Sequence, residues 1–168
     1  FILTELKSNE ALEINDKIVV AKSSSEKFVN NDFESIININ DFNLIEITQL
    51  TDIFTKNEAA IIADFNRITK NKHSDKLNTT NTIIGNQVFV EKGAKVNGAI
   101  LNSEIGPIYI GKNAEIMEGA LIRGPFALCD NATLKMGAKI YGGTTIGSYS
   151  KVGGEVSNSV IQNFTNKG

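Results

Sequence analysis

From Ile110 to Val152 the chain reads IGKNAE-IMEGAL-IRGPFA-LCDNAT-LKMGAK-IYGGTT-IGSYSK-V, with an aliphatic residue at every sixth place: Ile110, Ile116, Ile122, Leu128, Leu134, Ile140, Ile146 and Val152. Four residues after each stand Ala114, Ala120, Phe126, Ala132, Ala138, Thr144, Ser150 and Val156, small in all but two cases. Positions i, i+4 and i+6 scatter around an α-helix but share one face of extended chain, where side-chain direction repeats every two residues. Turn-forming residues, among them Gly111, Asn113, Gly119, Gly124, Pro125, Asn131, Gly137 and Gly142, fill much of the remainder. Short strands and corners therefore alternate about every six residues. Such a chain closes its core by coiling, each coil stacked on the next, which is a parallel β-helix. Three strands per coil put residues eighteen apart in ladders, Ile110 with Leu128 and Ile146, and Ile116 with Leu134 and Val152. Each buried aliphatic contributes about 1.5–3 kcal/mol.

The repeat starts before this run and fades after it. Ile84, Val90 and Val96 are six apart, with Val88, Ala94 and Ile100 at the second inward place. The step from Val96 to Ile110 is two residues too long, so 102–107 is expected to hold a two-residue insertion at a corner, read as a surface turn. Beyond Val152, Asn158 falls where an aliphatic is due, and Val160 and Ile161 supply the next apolar pair.

All 14 glycines lie from Gly85 onward, and both prolines lie there too. The polar stretch 70–82 therefore reads as a linker between residues 1–69 and a β-helix domain over 83–168. Upstream, Phe1-Ile2-Leu3, Ile18-Val19-Val20, Ile36–Ile39 and Leu44–Ile47 read as strands, punctuated by turns at Asn15-Asp16 and Asn40-Asp41. Ser23-Ser24-Ser25 and 30–32 read as loops. Thr55-Lys56-Asn57-Glu58 has the form of a capping box, and Ile61, Phe65 and Ile68 follow at helical spacing. A helix is expected from Lys56 to about Thr69, packed on the preceding strands or on the first coil.

A net charge of −2, with 41% hydrophobic and 21% charged residues, gives no basic surface for nucleic acid. No apolar run approaches the ~18 residues of a membrane helix. Cys129 is the one cysteine, so no intramolecular disulfide can form and a reducing compartment, the cytoplasm, is expected. The chain opens with neither a methionine nor a signal-peptide pattern, and reads as a fragment that continues past a truncated C-terminal coil. His73 is the single histidine, too few for a three-ligand zinc site, and no metal site is assigned. Cys129 follows an inward leucine and points outward with no histidine to activate it, so it reads as a surface or interface thiol. No glycine before Gly85 means no phosphate-cradling loop.

The hexads are similar to the hexapeptide-repeat, left-handed β-helix of acyltransferases and of sugar nucleotidyltransferases with such a tail. Handedness rests on that resemblance alone. The strings Asp52–Asn57, Gly106–Gly111, Ala114–Gly119, Ile122–Ala127 and Lys135–Gly142 resemble a Bacteroidetes group of sugar nucleotidyltransferases. That group is related to the bifunctional enzyme that acetylates glucosamine 1-phosphate and uridylates the product. The resemblance covers nearly the whole chain. It implies that residues 1–69 are the last part of an α/β nucleotidyltransferase domain, followed by a β-helix that makes a homotrimer. It further implies a sugar phosphate and a nucleoside triphosphate as substrates and Mg2+ in the full-length protein. Two departures matter: the family's glycine-rich loop would precede Phe1, and the relatives' acetyl-transfer histidine would follow Gly168. No catalytic residue is carried over, and the fragment alone is expected to be inactive. Arg123, Lys135, Tyr141 and Lys151, outward-facing in this reading, are the candidates for sugar-phosphate or partner contact. Two alternatives stay open: a coenzyme A-dependent sugar acetyltransferase using acetyl-CoA, and a non-catalytic structural or binding solenoid.

Overall fold

The computed structural model describes residues 6–39 and 45–168. Contacts divide the chain into two units, Phe1–Leu44 and Ile45–Gly168. In the first, Asn15 and Asp16 both take positive φ, 51° and 61°. Two such residues in succession form the turn whose twist matches a tight antiparallel hairpin. They join β1 (Glu10–Ile14) to β2 (Lys17–Lys22), and β3 (Ser35–Ile39) adds parallel to β1, in the order β2-β1-β3. Ala11, Leu12 and Ile14 of the central strand are buried. The sequence reading found β2, β3 and the turn but not β1. The serine run, read as a loop, starts a helix: the Ser24 hydroxyl accepts the Lys27 N–H at 3.4 Å and caps α1 (Ser25–Val29). Phe1–Leu3 and Asn40-Asp41 lie outside the described residues, and 45–47 form irregular chain where a strand was expected.

The second unit opens with two consecutive helices, α2 (Asp52–Thr55) and α3 (Asn57–Thr69). The expected capping box does not form. The Thr55 hydroxyl donates to the Thr51 carbonyl at 3.0 Å inside α2, and the cap residue of α3 is Lys56, with no side-chain cap bond. The carboxylate three residues earlier instead ties down the turn that enters α2: Asp52 accepts Thr48 N–H at 2.8 Å, Thr48 Oγ1 at 2.9 Å and Gln49 N–H at 3.2 Å. These bonds, the Thr48 N–H foremost and the nearby Lys56 ammonium last, hold the carboxyl down from its ordinary 3.8 to about 2. Because the folded value is the lower one, the stabilisation is complete above about pH 4 and is lost as pH falls through 2. Denaturant melts should show this acid-side loss in the parent, and its removal by Asp52→Asn.

The remainder is a parallel β-solenoid of five coils. Its strands are β4 (Thr82–Ile84), β5 (Val88–Val90), β6 (Lys95–Val96), β7 (Ile100–Asn102), β8 (Ile108–Ile110), β9 (Glu115–Ile116), β10 (Leu121–Arg123), β11 (Phe126–Leu128), β12 (Thr133–Leu134), β13 (Lys139–Ile140), β14 (Thr144–Ile146), β15 (Lys151–Val152), β16 (Glu155–Val156), β17 (Val160–Ile161) and β18 (Asn166–Lys167). They form three five-stranded parallel sheets, here the first face (β4-β7-β10-β13-β16), the second (β5-β8-β11-β14-β17) and the third (β6-β9-β12-β15-β18). The expected ladders are present: Leu128 pairs with Ile110 and Ile146, and Leu134 with Ile116 and Val152. All eight aliphatic positions from Ile110 to Val152 are buried, and so are the eight positions four residues after them.

Corners of unequal length break the period and correct the outer registers. Ile83 and Leu101, not Ile84 and Ile100, take the inward places aligned with Ile122. Leu101 is fully buried, while Ile84 and Ile100 point outward and are exposed. The Val96–Leu101 step is one residue short and the corner at 102–107 three residues long, which sums to the two-residue excess seen in sequence. After Val152 two shortened steps, of four and then five residues, put Val156 on Ile140 and Ile161 on Ile146, so no inward place falls on Asn158. The polar stretch read as a linker is hydrogen-bonded along the first coil. Asp75 N–H donates to Val90 O at 2.8 Å, Asn78 Nδ2 to Val96 O at 3.1 Å, and Ala99 N–H to Asn81 Oδ1 at 3.0 Å.

Candidate functional site

Alternation along each strand sends every other side chain outward, and the three outer faces differ in what they carry. The second face lies under α3, which crosses β11 and β14. Phe65 of α3 meets Phe89 edge-on at 6.5 Å, and Phe89 stacks on Tyr109 at 6.2 Å. The helix therefore sits mainly on middle coils and reaches the first through Phe65, an adjustment of the expected docking. Asn57, at the first position of α3, is the polar anchor. It is buried, its Nδ2 donates to the Gly143 carbonyl at 2.7 Å, and its Oδ1 accepts the Thr145 hydroxyl at 3.1 Å. Asn57→Leu leaves that carbonyl and hydroxyl without their partner, and an unmet buried polar group costs about 1–3 kcal/mol. The variant should show faster amide exchange across α3 while the amides of β12 and β15 stay protected.

Beneath α3 a cavity of about 250 Å3 is lined by Ile61, Phe65, Tyr109, Ala127 and Cys129 among others. Cys129 points out of the solenoid as the sequence predicts, but faces α3 rather than open solvent. Burial, and then the Asp130 charge, push its thiol up, so it stays protonated and is a poor nucleophile. The Tyr109 phenol is pushed up by burial first and by Glu91 next. It donates to Glu91 Oε1 at 3.3 Å, the same oxygen that Lys72 Nζ meets at 3.2 Å. These groups fasten the 70–82 stretch to the second face and are structural.

The third face is polar, with the outward column Lys95, Glu115, Thr133, Lys151 and Asn166. Lys151 stands on it. Lys135, at its margin, is engaged with the last coil through Asn166 Oδ1 at 3.0 Å and Lys167 O at 3.2 Å.

The first face is open and largely apolar. Its two outward columns run Thr82, Ile100, Leu121, Lys139, Glu155 and Ile84, Asn102, Arg123, with Tyr141 following Arg123. Ile84, Ile100, Leu121 and Tyr141 are about two-fifths exposed each. They border a groove of about 410 Å3 whose charged lining groups are Arg123 and Lys139. The long corner ends beside it: Asn102, Glu104, Ile105 and Arg123 enclose a smaller pocket of about 90 Å3. Of the four candidate residues, Arg123 and Tyr141 come together here, whereas Lys135 and Lys151 belong to another side of the solenoid. Lys139, which the sequence reading did not select, joins the pair.

His73 is exposed, and among the described residues no group of three or more His, Cys, Asp or Glu could hold a metal ion. The Mg2+ implied by the resemblance thus finds no carboxylate cage among them. No helix among the described residues is long and apolar enough to cross a membrane.

Comparison with known proteins bears on the other end of the chain. No curated protein matches it. Residues 2–73 match the model of a family described as sugar nucleotidyl transferase, and that match, followed by the solenoid, fits a β-helix protein of sugar-nucleotidyltransferase-like character.

Proposed function

We propose that the full-length protein makes a nucleotide sugar. An oxygen of a sugar 1-phosphate attacks the α-phosphorus of a nucleoside triphosphate, the bond to the β,γ-phosphate oxygen breaks, and pyrophosphate leaves. The single observation supporting this reading is the family match over residues 2–73. Residues 1–69 then belong to the nucleotidyltransferase domain, and the solenoid serves as its scaffold and as the element through which three copies associate in the cytoplasm. The reaction needs Mg2+ to neutralise phosphate charge, and no step is assigned to a ligand for it here.

Pyrophosphate release by full-length protein, with Mg2+ and a panel of sugar 1-phosphates and nucleoside triphosphates, tests the activity. Release with at least one pair is the expected result, and none across the panel would sink the reading. Light scattering tests the assembly: three times the chain mass is expected, and a single-chain mass would count against the trimer.

A further inference from the structure

We propose that the groove on the first face binds a phosphate monoester carrying an apolar or planar body, at a site outside residues 2–73. The argument begins with charge. Arg123 and Lys139 both line the groove, and no acidic residue does. Among the described residues neither side chain has a hydrogen-bond or ion-pair partner, in contrast to Lys27, Lys56, Arg67, Lys72 and Lys135, each of which is engaged. Two acids stand beside them without pairing: Glu104 shares the smaller adjoining pocket with Arg123, its Oε2 accepting Asn102 Nδ2 at 3.4 Å, and Glu155 is the in-register neighbour of Lys139 on the next coil but forms no ion pair with it.

Geometry brings the cations to one ligand. Lys139 pairs in register with Leu121, so it lies one strand spacing across and two residues along from Arg123. That is about 8 Å between backbones, a span from which two long side chains can converge on a single phosphate. Arginine in particular offers paired N–H donors to phosphate oxygens. Beside the cations, Ile84, Ile100 and Leu121 provide an apolar floor and Tyr141 an aromatic edge. The volume of about 410 Å3 lies within the ~300–1,000 Å3 usual for small-molecule sites. A free sugar phosphate would use the cations but set hydroxyls against the apolar floor. A nucleoside monophosphate or an alkyl phosphate satisfies both halves.

The test is a residue-resolved NMR titration of the whole chain with four probes: inorganic phosphate, glucose 1-phosphate, adenosine monophosphate and octyl phosphate. Saturable shifts at Leu121, Arg123 and Tyr141 are expected with the last two, at least tenfold tighter than with the first two. The tighter of the last two distinguishes a nucleotide from a lipid-like ester. Arg123→Gln and Lys139→Gln should each weaken binding about tenfold or more. Leu121→Ser should weaken the esters with an apolar body and leave inorganic phosphate unchanged. Three results would overturn the proposal: no saturation with any probe; equal binding of phosphate and the esters, meaning an adventitious ion only; or a fall in oligomer mass on Leu121→Ser, meaning that a second copy occupies the face. Because these readouts are independent of pyrophosphate release, failure here leaves the nucleotidyl-transfer reading standing, and the reverse also holds.

Discussion

Leu134→Asp should abolish cooperative folding of the solenoid. Leu134 is fully buried and sits between Ile116 and Val152 in the middle of its ladder. An aspartate there removes an aliphatic contribution of about 1.5–3 kcal/mol and leaves a carboxylate among hydrocarbon with no partner. A loss of about 4 kcal/mol or more is expected, in the range reached only by changes of this kind. Each coil contacts only its neighbours, so a break in the third, central strand of a five-strand ladder should uncouple the coils on both sides of it and melt them together. The control is Thr133→Asp on the adjacent outward position, which should stay within about 0.5 kcal/mol of the parent. Chemical denaturation followed by circular dichroism measures both; equal midpoints for the two variants would refute the inward assignment.

Gly124→Ala is the second large effect, although only one methyl group is added. Gly106, Gly124 and Gly142 stack on one another at the corner between the first and second faces, and the Gly124 N–H donates to the Asn102 carbonyl at 2.9 Å. A Cβ on Gly124 would overlap the Gly106 carbonyl oxygen and press on the Gly106 carbon and the Pro107 oxygen. All three are backbone atoms, and none can swing away as a side chain would. Overpacking of this kind costs about 3 kcal/mol. Gly137→Ala is the comparison: there is open space around its Cβ position, and only the left-handed φ of +69° opposes the change. That should cost about 1–2 kcal/mol. A thermal melt in which the two variants lose the same stability would show that the coils are not in contact at this corner.

The solenoid was legible in the sequence because its core demands the same residue class at fixed spacing. It ceased to be legible where corners changed length. Ile84 and Ile100 fit the six-residue count from Val90 and Val96 better than Ile83 and Leu101 do, and only the pairing of Leu101 with Ile122 and Ile83 reverses the choice. The shortened steps after Val152 hid the places of Val156 and Ile161 in the same way.

Local polar patterns misled for a different reason. Thr55 and Glu58 have capping-box spacing, but the threonine hydroxyl found a nearer carbonyl at Thr51. Asn57 looked like part of that box, and its actual partners, Gly143 and Thr145, are more than eighty residues away. Nothing local signals such a bond.

The candidate site was half legible. Outward cations can be named from the repeat, but their face depends on which corner precedes them. Arg123 and Tyr141 end strand positions of the first face, whereas Lys151 and Lys135 belong to the third and its margin. Lys139 was passed over although it stands one coil from Leu121 in the same outward column. The apolar character of that column, from Ile100 and Leu121, is also written in the sequence; it becomes meaningful once the helix is seen to cover a different face.

The account stands on the assignment of inward and outward positions, since the covered, polar and open faces all follow from it. An aspartate scan of every position from Ile110 to Val156, with a denaturation midpoint for each variant, tests it most directly. The account predicts deep minima at Ile110, Ile116, Ile122, Leu128, Leu134, Ile140, Ile146 and Val152 and again four residues after each, separated by near-parental values at outward positions such as Leu121, Thr133 and Lys139. A profile repeating every three to four residues, or one without a six-residue period, would contradict it.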